Sequence, residues 1–173
     1  WEIYGDIETM DCSGMVAIPG FVNMHTHSPM SLMRRIEEDV KFQCWLQKIW
    51  EVEKNLDHDY VYWATKLACL EMIKTGTTTF NDQYWFFEDS VRAATEMGMR
   101  IATGYDVMDK GDPAEAERQK EQCEKKSAPF LGSGNPCLIY EIAFHAIYSV
   151  SENMMLWVND FARKHDLNIH IHL

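Results

Sequence analysis

Strand-like runs alternate along this chain with amphipathic helical segments, and that alternation narrows the fold more than any other feature. "GFVNMH" (20–25), "TTTFND" (77–82), "MRIATGYDV" (99–107), "CLIYEIAFH" (137–145) and "LNIHIHL" (167–173) read as strands. Between them, Asp57 is placed to cap a helix that ends near Gly76, with Val61, Ala64, Ala68 and Met72 on one face. Glu88 to Met97 reads as a helix stopped by Gly98. Asp112 and Pro113 form an N-cap and first-turn pair for a charged helix reaching about Lys126. Ser149 and Glu152 are spaced as a capping box for a last helix whose inner face includes Met155, Val158 and Ala162. Such alternation predicts an α/β fold of parallel βαβ units. Two architectures satisfy it: an open doubly wound sheet, or part of an eight-stranded barrel. No GxGxxG follows the first strand and no GxxxxGK[ST] occurs, which removes the usual reason for a nucleotide-phosphate fold and favours the barrel.

Composition bounds the partners. Of the 173 residues, 46% are hydrophobic and 25% charged, as expected of a globular chain. A net charge of −11 disfavours nucleic acid and anionic membranes, which select basic surfaces. No apolar run approaches the roughly 18 residues of a membrane span. The five cysteines are widely spaced, odd in number and without a CxxC pair; they read as reduced packing residues of a cytoplasmic protein, and a thiolate zinc site is not expected. The chain opens on Trp1 and stops inside a strand-like run, so it is expected to be a piece of something longer.

The chemistry is concentrated in histidines. In "PGFVNMHTHSPMSLMRR" (19–35), His25 and His27 stand two apart at the end of the first strand. On a strand, residues i and i+2 share a face and lie about 6.6–6.8 Å apart along it. In a barrel that shared face is the interior, and the C-terminal strand ends are where sites are built. His170 and His172 repeat the pattern on the fifth strand, and four inward histidines are hard to satisfy as ordinary core residues. A divalent metal such as zinc suits imidazoles converging there. His170 reads as a structural hydrogen-bonding residue, Asp82 likewise as structural, and His58 and His165 as solvated. Trp45, Trp50, Trp63, Trp85 and Trp157 read as packing, with Trp45 the candidate exception.

These motifs resemble the amidohydrolase superfamily, in its cytosine/guanine, S-adenosylhomocysteine deaminase and chlorohydrolase branch. "GMVAIPGFVNMHTHSPMSLMRR" is similar to that branch's first-strand pattern, "EDVKFQCWLQKIWEVE" to its lid, and "MIKTGTTTFNDQYWF" to its second strand. "MGMRIATGYDVMD" is similar to its third strand, "FHAIYSVS" to its PHAPYTVS, and "IHIHL" to its metal-binding fifth strand. The resemblance implies a (β/α)8 TIM-type barrel, with about the first five βα units at 20–173 and the end of a small β-sandwich at 1–19. It implies one divalent metal, zinc foremost with iron or another transition metal as alternatives, held by His25, His27 and His172. It implies that His145 is catalytic and contacts substrate, that Glu53 binds ribose hydroxyls or is simply an exposed helix carboxylate, and that Arg118 reaches a substrate carboxylate.

The activity implied is deamination of a small amino-substituted heterocycle, a nucleoside or nucleobase, by attack of metal-bound hydroxide. The alternatives are a chlorohydrolase of the same superfamily, or an inert half-barrel that needs further chain. A homo-oligomer is expected. The branch's glutamate three residues after His172, its sixth-strand histidine and its eighth-strand aspartate would all fall beyond Leu173. Three local departures stand out: Arg35 occupies a usual glycine position, and Phe144 and Ile147 replace the prolines around His145.

Overall fold

The computed structural model describes residues 8–173. The segment expected to end a β-sandwich falls partly on residues 1–7, outside the described residues. From 8 to 19 the chain is exposed and forms no strand; its one local feature is a turn in which the Asp11 carboxylate accepts from the Ser13 backbone N–H and hydroxyl.

From there the elements follow the predicted alternation: β1 (Phe21–Thr26), a 3-10 turn (Ser28–Met33), α1 (Phe42–Glu53), α2 (His58–Lys74), β2 (Thr77–Asp82), α3 (Phe87–Glu96), β3 (Arg100–Val107), α4 (Pro113–Ser127), β4 (Leu138–Ala146), α5 (Glu152–His165) and β5 (Ile169–His172). Two helix starts work as their sequences suggest. The Asp57 carboxylate accepts from the Tyr60 N–H, and that of Asp112 from the Ala114 N–H beside Pro113. The cap of α5 differs from expectation. Ser151, not Ser149, accepts from the Met154 N–H, because the buried Asp109 carboxylate holds the Ser151 N–H and hydroxyl while Ser149 turns toward His145. The buried stripe of α5 shifts with it: Met154, Val158, Phe161 and Ala162 face inward, and Met155 is only half-buried.

All four strand pairings are parallel, and spatial order equals chain order, β1-β2-β3-β4-β5. A doubly wound sheet reverses direction and puts its first strand inside; consecutive order instead winds every crossover the same way. The sheet curls far enough that His25 on β1 and His170 on β5 touch, with ring nitrogens 2.8 Å apart. Five strands of a barrel, the first four each followed by a helix, are therefore in place. The helices cover the outer face. Phe80, Ile101 and Ile142 are wholly buried under α2 to α5, and a separate cluster of Met33, Ile49, Val61 and Tyr84 fastens α1 over the strand ends. The inner face is polar, with Asp106 and Glu141 buried along β3 and β4. Gly104 makes this possible: a Cβ there would sit 1.6 Å from the Glu141 carbonyl oxygen, so only glycine lets β3 and β4 approach at that level.

Candidate metal centre

β1 and β5 deliver three imidazoles to one point. Nε2 of His172 lies 3.1 Å from Nε2 of His25 and 3.1 Å from Nε2 of His27. One ligand atom from each of the three can be chosen so that all lie within 4.8 Å of one another. Tetrahedral coordination with bonds of 2.0–2.1 Å separates ligand nitrogens by about 3.3 Å, so the spacing suits a first-row divalent ion. Each ring is also held by its other nitrogen. His27 Nδ1 donates to the Gln83 carbonyl at 2.6 Å, and His172 Nδ1 donates to the His145 carbonyl at 2.8 Å. His25 Nδ1 meets His170 Nε2. A carbonyl can only accept, so in neutral His27 and His172 the proton sits on Nδ1 and the Nε2 lone pair faces the shared point.

The electrostatics agree with neutral rings. Desolvation, followed by the neighbouring His27, His172 and His170, lowers His25 to about 4. Desolvation also lowers His172, and it brings His145 down to about 4 with help from His172 and His27.

The point opens into a cavity of about 420 Å³. On one side stands α1, presenting Phe42, Trp45, Ile49, Trp50 and Glu53; on the other are Gln83, Tyr84 and Trp85 after β2, Asp106 at the end of β3, and His145. Size and lining are those of a small-molecule site: mostly apolar and aromatic, with a few convergent polar groups. Burial raises the Glu53 carboxyl above its ordinary value, against the pull of the Tyr84 and Trp85 side chains. Buried Asp106 is pushed up to about 7, chiefly by desolvation, while Gln83 Nε2 donates to it at 3.2 Å. Ser149 Oγ lies 3.2 Å from the Ala146 carbonyl and 2.7 Å from His145 Nδ1; when the hydroxyl donates to that carbonyl it accepts from Nδ1, and Nε2 is left as an acceptor.

Of the residues singled out in the sequence, His25, His27, His172, His145, Glu53 and Trp45 line this one cavity, and so do Trp50 and Trp85, which the sequence suggests are packing residues only. Arg118 does not. It sits on the exposed side of α4, in a bidentate pair with Glu115 one turn back, because that helix packs on the outside of the sheet. Asp82 is structural: fully buried, it accepts from the Ser28 N–H, the Ser28 hydroxyl and the Thr26 hydroxyl, and so pins the turn after β1. His58 is mostly exposed, as expected, and its Nδ1 also lies 2.5 Å from Asp89. Asp106, Gln83 and Glu141 escaped the sequence reading. For Asp106 a signal existed, a carboxylate at the C-terminal end of a barrel strand. Glu141 had one too, as the lone charge inside an apolar strand.

Arg35 has φ of +64°, in the left-handed region, which accounts for the glycine that the resembling pattern carries there.

Comparison with known proteins agrees with this geometry. The chain is 44% identical over 165 residues to a 5′-deoxyadenosine deaminase of Methanoregula boonei, covering 95% of this chain and 37% of that one. It is 41% identical over 169 residues to a 5-methylthioadenosine/S-adenosylhomocysteine deaminase of Pyrococcus horikoshii, covering 96% and 40%. Among solved structures, a zinc-bound adenosine deaminase of Xanthomonas campestris superposes with a TM-score of 0.73 at 29% identity, covering 89% of this chain and 36% of that chain. The chain thus spans 37% to 40% of the length of these curated relatives. The sequence model of the amidohydrolase family matches residues 16–173, a stretch that contains all five strands and every histidine of the centre. The curled parallel sheet, the paired histidines at its C-terminal edge and this match have a single reading: the chain belongs to the amidohydrolase family.

Proposed function

We propose that the whole protein is a metal-dependent aminohydrolase that releases ammonia from an amino-substituted heterocycle of the adenosine type, and that this chain supplies its metal-binding wall and lid. The observation carrying the proposal is the meeting of three Nε2 atoms at the floor of an aromatic-walled cavity. In the reaction, water adds to the ring carbon that bears the amino group, that carbon–nitrogen bond breaks, and the ring keeps an oxo group in place of the amine. His25, His27 and His172 would hold the divalent metal, zinc being the first choice given their all-nitrogen donor set. When bound, the metal supplies Lewis-acid activation of water near neutral pH.

The remaining work falls to the chain's own residues. Neutral His145, with Nδ1 committed to Ser149, offers Nε2 as an acceptor beside the centre, where it orients a water hydrogen or the departing amino group. Trp45 and Phe42, stacked with ring centroids 6.0 Å apart, form the apolar wall against which a flat heterocycle packs. Glu53, on the same helix, is placed to accept hydrogen bonds from sugar hydroxyls. Burial of its carboxyl makes an unoccupied Glu53 costly and favours a ligand that donates to it.

The test is ammonia release by the full-length protein from 5′-deoxyadenosine, 5′-methylthioadenosine, S-adenosylhomocysteine, adenosine, guanine and cytosine. Turnover confined to the adenosine group supports the proposal. Release from cytosine or guanine alone, or dechlorination of a chlorotriazine without ammonia release from any nucleoside, contradicts it.

A further inference from the structure

Glu141 is a carboxylate in the middle of β4, 3% exposed, and it is absent from the cavity lining. Its Oε1 lies 3.2 Å from Nδ1 of His170, itself almost buried, within hydrogen-bond distance but not in hydrogen-bond alignment. Among the described residues neither atom has another hydrogen-bond partner, so each is the other's natural one. On its opposite side His170 reaches His25, Nε2 to Nδ1, at 2.8 Å. The three side chains form a line from the buried wall of the sheet to the metal centre.

We propose that Glu141 and His170 act as positioning residues that set the tautomer of His25 and thereby the metal affinity of the site. The proposal rests on His25, His27 and His172 being the metal ligands. His27 and His172 are oriented by backbone carbonyls, which can only accept. His25 differs, because its partner is a second imidazole, able to accept or to donate through Nε2. A carboxylate at the far end removes the ambiguity. It draws the His170 proton to Nδ1, which makes His170 Nε2 an acceptor. His25 must then donate from Nδ1, and its Nε2 lone pair faces His172. The reverse arrangement puts a proton on His25 Nε2, the atom the metal needs. Partners of this kind behind a metal-bound histidine typically change affinity 10–100-fold.

Glu141→Gln discriminates. It keeps the shape but replaces an obligate acceptor with an amide that can also donate to His170 Nδ1, so the reverse arrangement is no longer excluded. In the full-length protein, stripped of metal and titrated with zinc or cobalt, the variant should bind about 10–100-fold more weakly than wild type. The melting temperature of its metal-free form should be unchanged. Long-range 1H–15N spectra of the metal-free wild type should show His25 protonated on Nδ1, and those of the variant also on Nε2. Equal affinity with an unchanged tautomer overturns the proposal. A wild-type His25 protonated on Nε2 also overturns it, and that result needs no variant to fold. A wild type that binds no metal defeats the ligand assignment instead, while the tautomer spectra still decide the relay.

Discussion

His172 donates from Nδ1 to the backbone carbonyl of His145 at 2.8 Å, so the same contact orients one metal-facing ring and fixes the end of the strand that carries the other histidine. The anchor is the main chain of His145, not its side chain. His172→Ala should therefore abolish tight zinc binding, whereas His145→Ala should leave zinc affinity near wild type and lower ammonia release about 10²–10⁴-fold, the range for a lost proton-handling group. Zinc titration and initial rates on both variants check this. Parallel loss of metal from His145→Ala would place that side chain in the coordination sphere.

Glu53 and the aromatic wall belong to one helix, α1, held over the strand ends by Ile49 and its neighbours. Glu53→Gln is expected to raise KM for nucleosides roughly 10–100-fold, the equivalent of about 1.5–3 kcal/mol for a hydrogen bond to a charged group. A free base lacking the sugar should show no such change. Comparison of KM for adenosine and adenine in the two proteins reads the difference.

Two sets of shifts oppose each other in acid. His25 and His145 fall from 6.5 to about 4 in the folded chain, so between those values the unfolded chain binds more protons and stability is lost as pH falls. Asp106 rises from 3.8 to about 7, so over nearly the same window the folded chain binds more protons and stability is gained as pH falls. Asp106→Asn removes only the second contribution. Urea melts of the metal-free protein from pH 7 to pH 4 should show a steeper loss of stability in Asp106→Asn than in wild type; a shallower one would contradict the buried, protonated state of Asp106.

Arg35 holds a left-handed φ beside the turn that follows β1. Arg35→Gly relieves that strain at some cost in unfolded-chain entropy, and a net gain of about 0.5–1 kcal/mol is expected from thermal or urea melts.

Most of the order of elements was legible because those helices and strands announce themselves locally: Asp57 and Asp112 cap helices from their own side chains, and the β-branched run at 77–82 is β2 to the residue, whereas α1 was read only as a lid through resemblance. Closure of the sheet was legible only indirectly, through the same-face spacing of His25 with His27 and of His170 with His172. What the sequence hid depends on contacts between distant segments. Ser151 displaces Ser149 as the α5 cap because of Asp109, 42 residues away. Glu141 matters through His170 on the next strand, and Arg118 fails as a cavity residue because α4 packs outside the sheet. Local propensity carries no record of any of these.

Three histidines from β1 and β5 are proposed to hold one divalent metal, and X-ray absorption at the zinc edge, on the full-length protein loaded with one equivalent, reads their coordination. Three imidazole ligands with zinc–nitrogen distances of about 2.0–2.1 Å are expected, with loss of imidazole scattering and of tight binding in His25→Ala, His27→Ala and His172→Ala. A spectrum dominated by sulfur, or one with oxygen ligands alone that these three substitutions leave unchanged, would contradict the proposal.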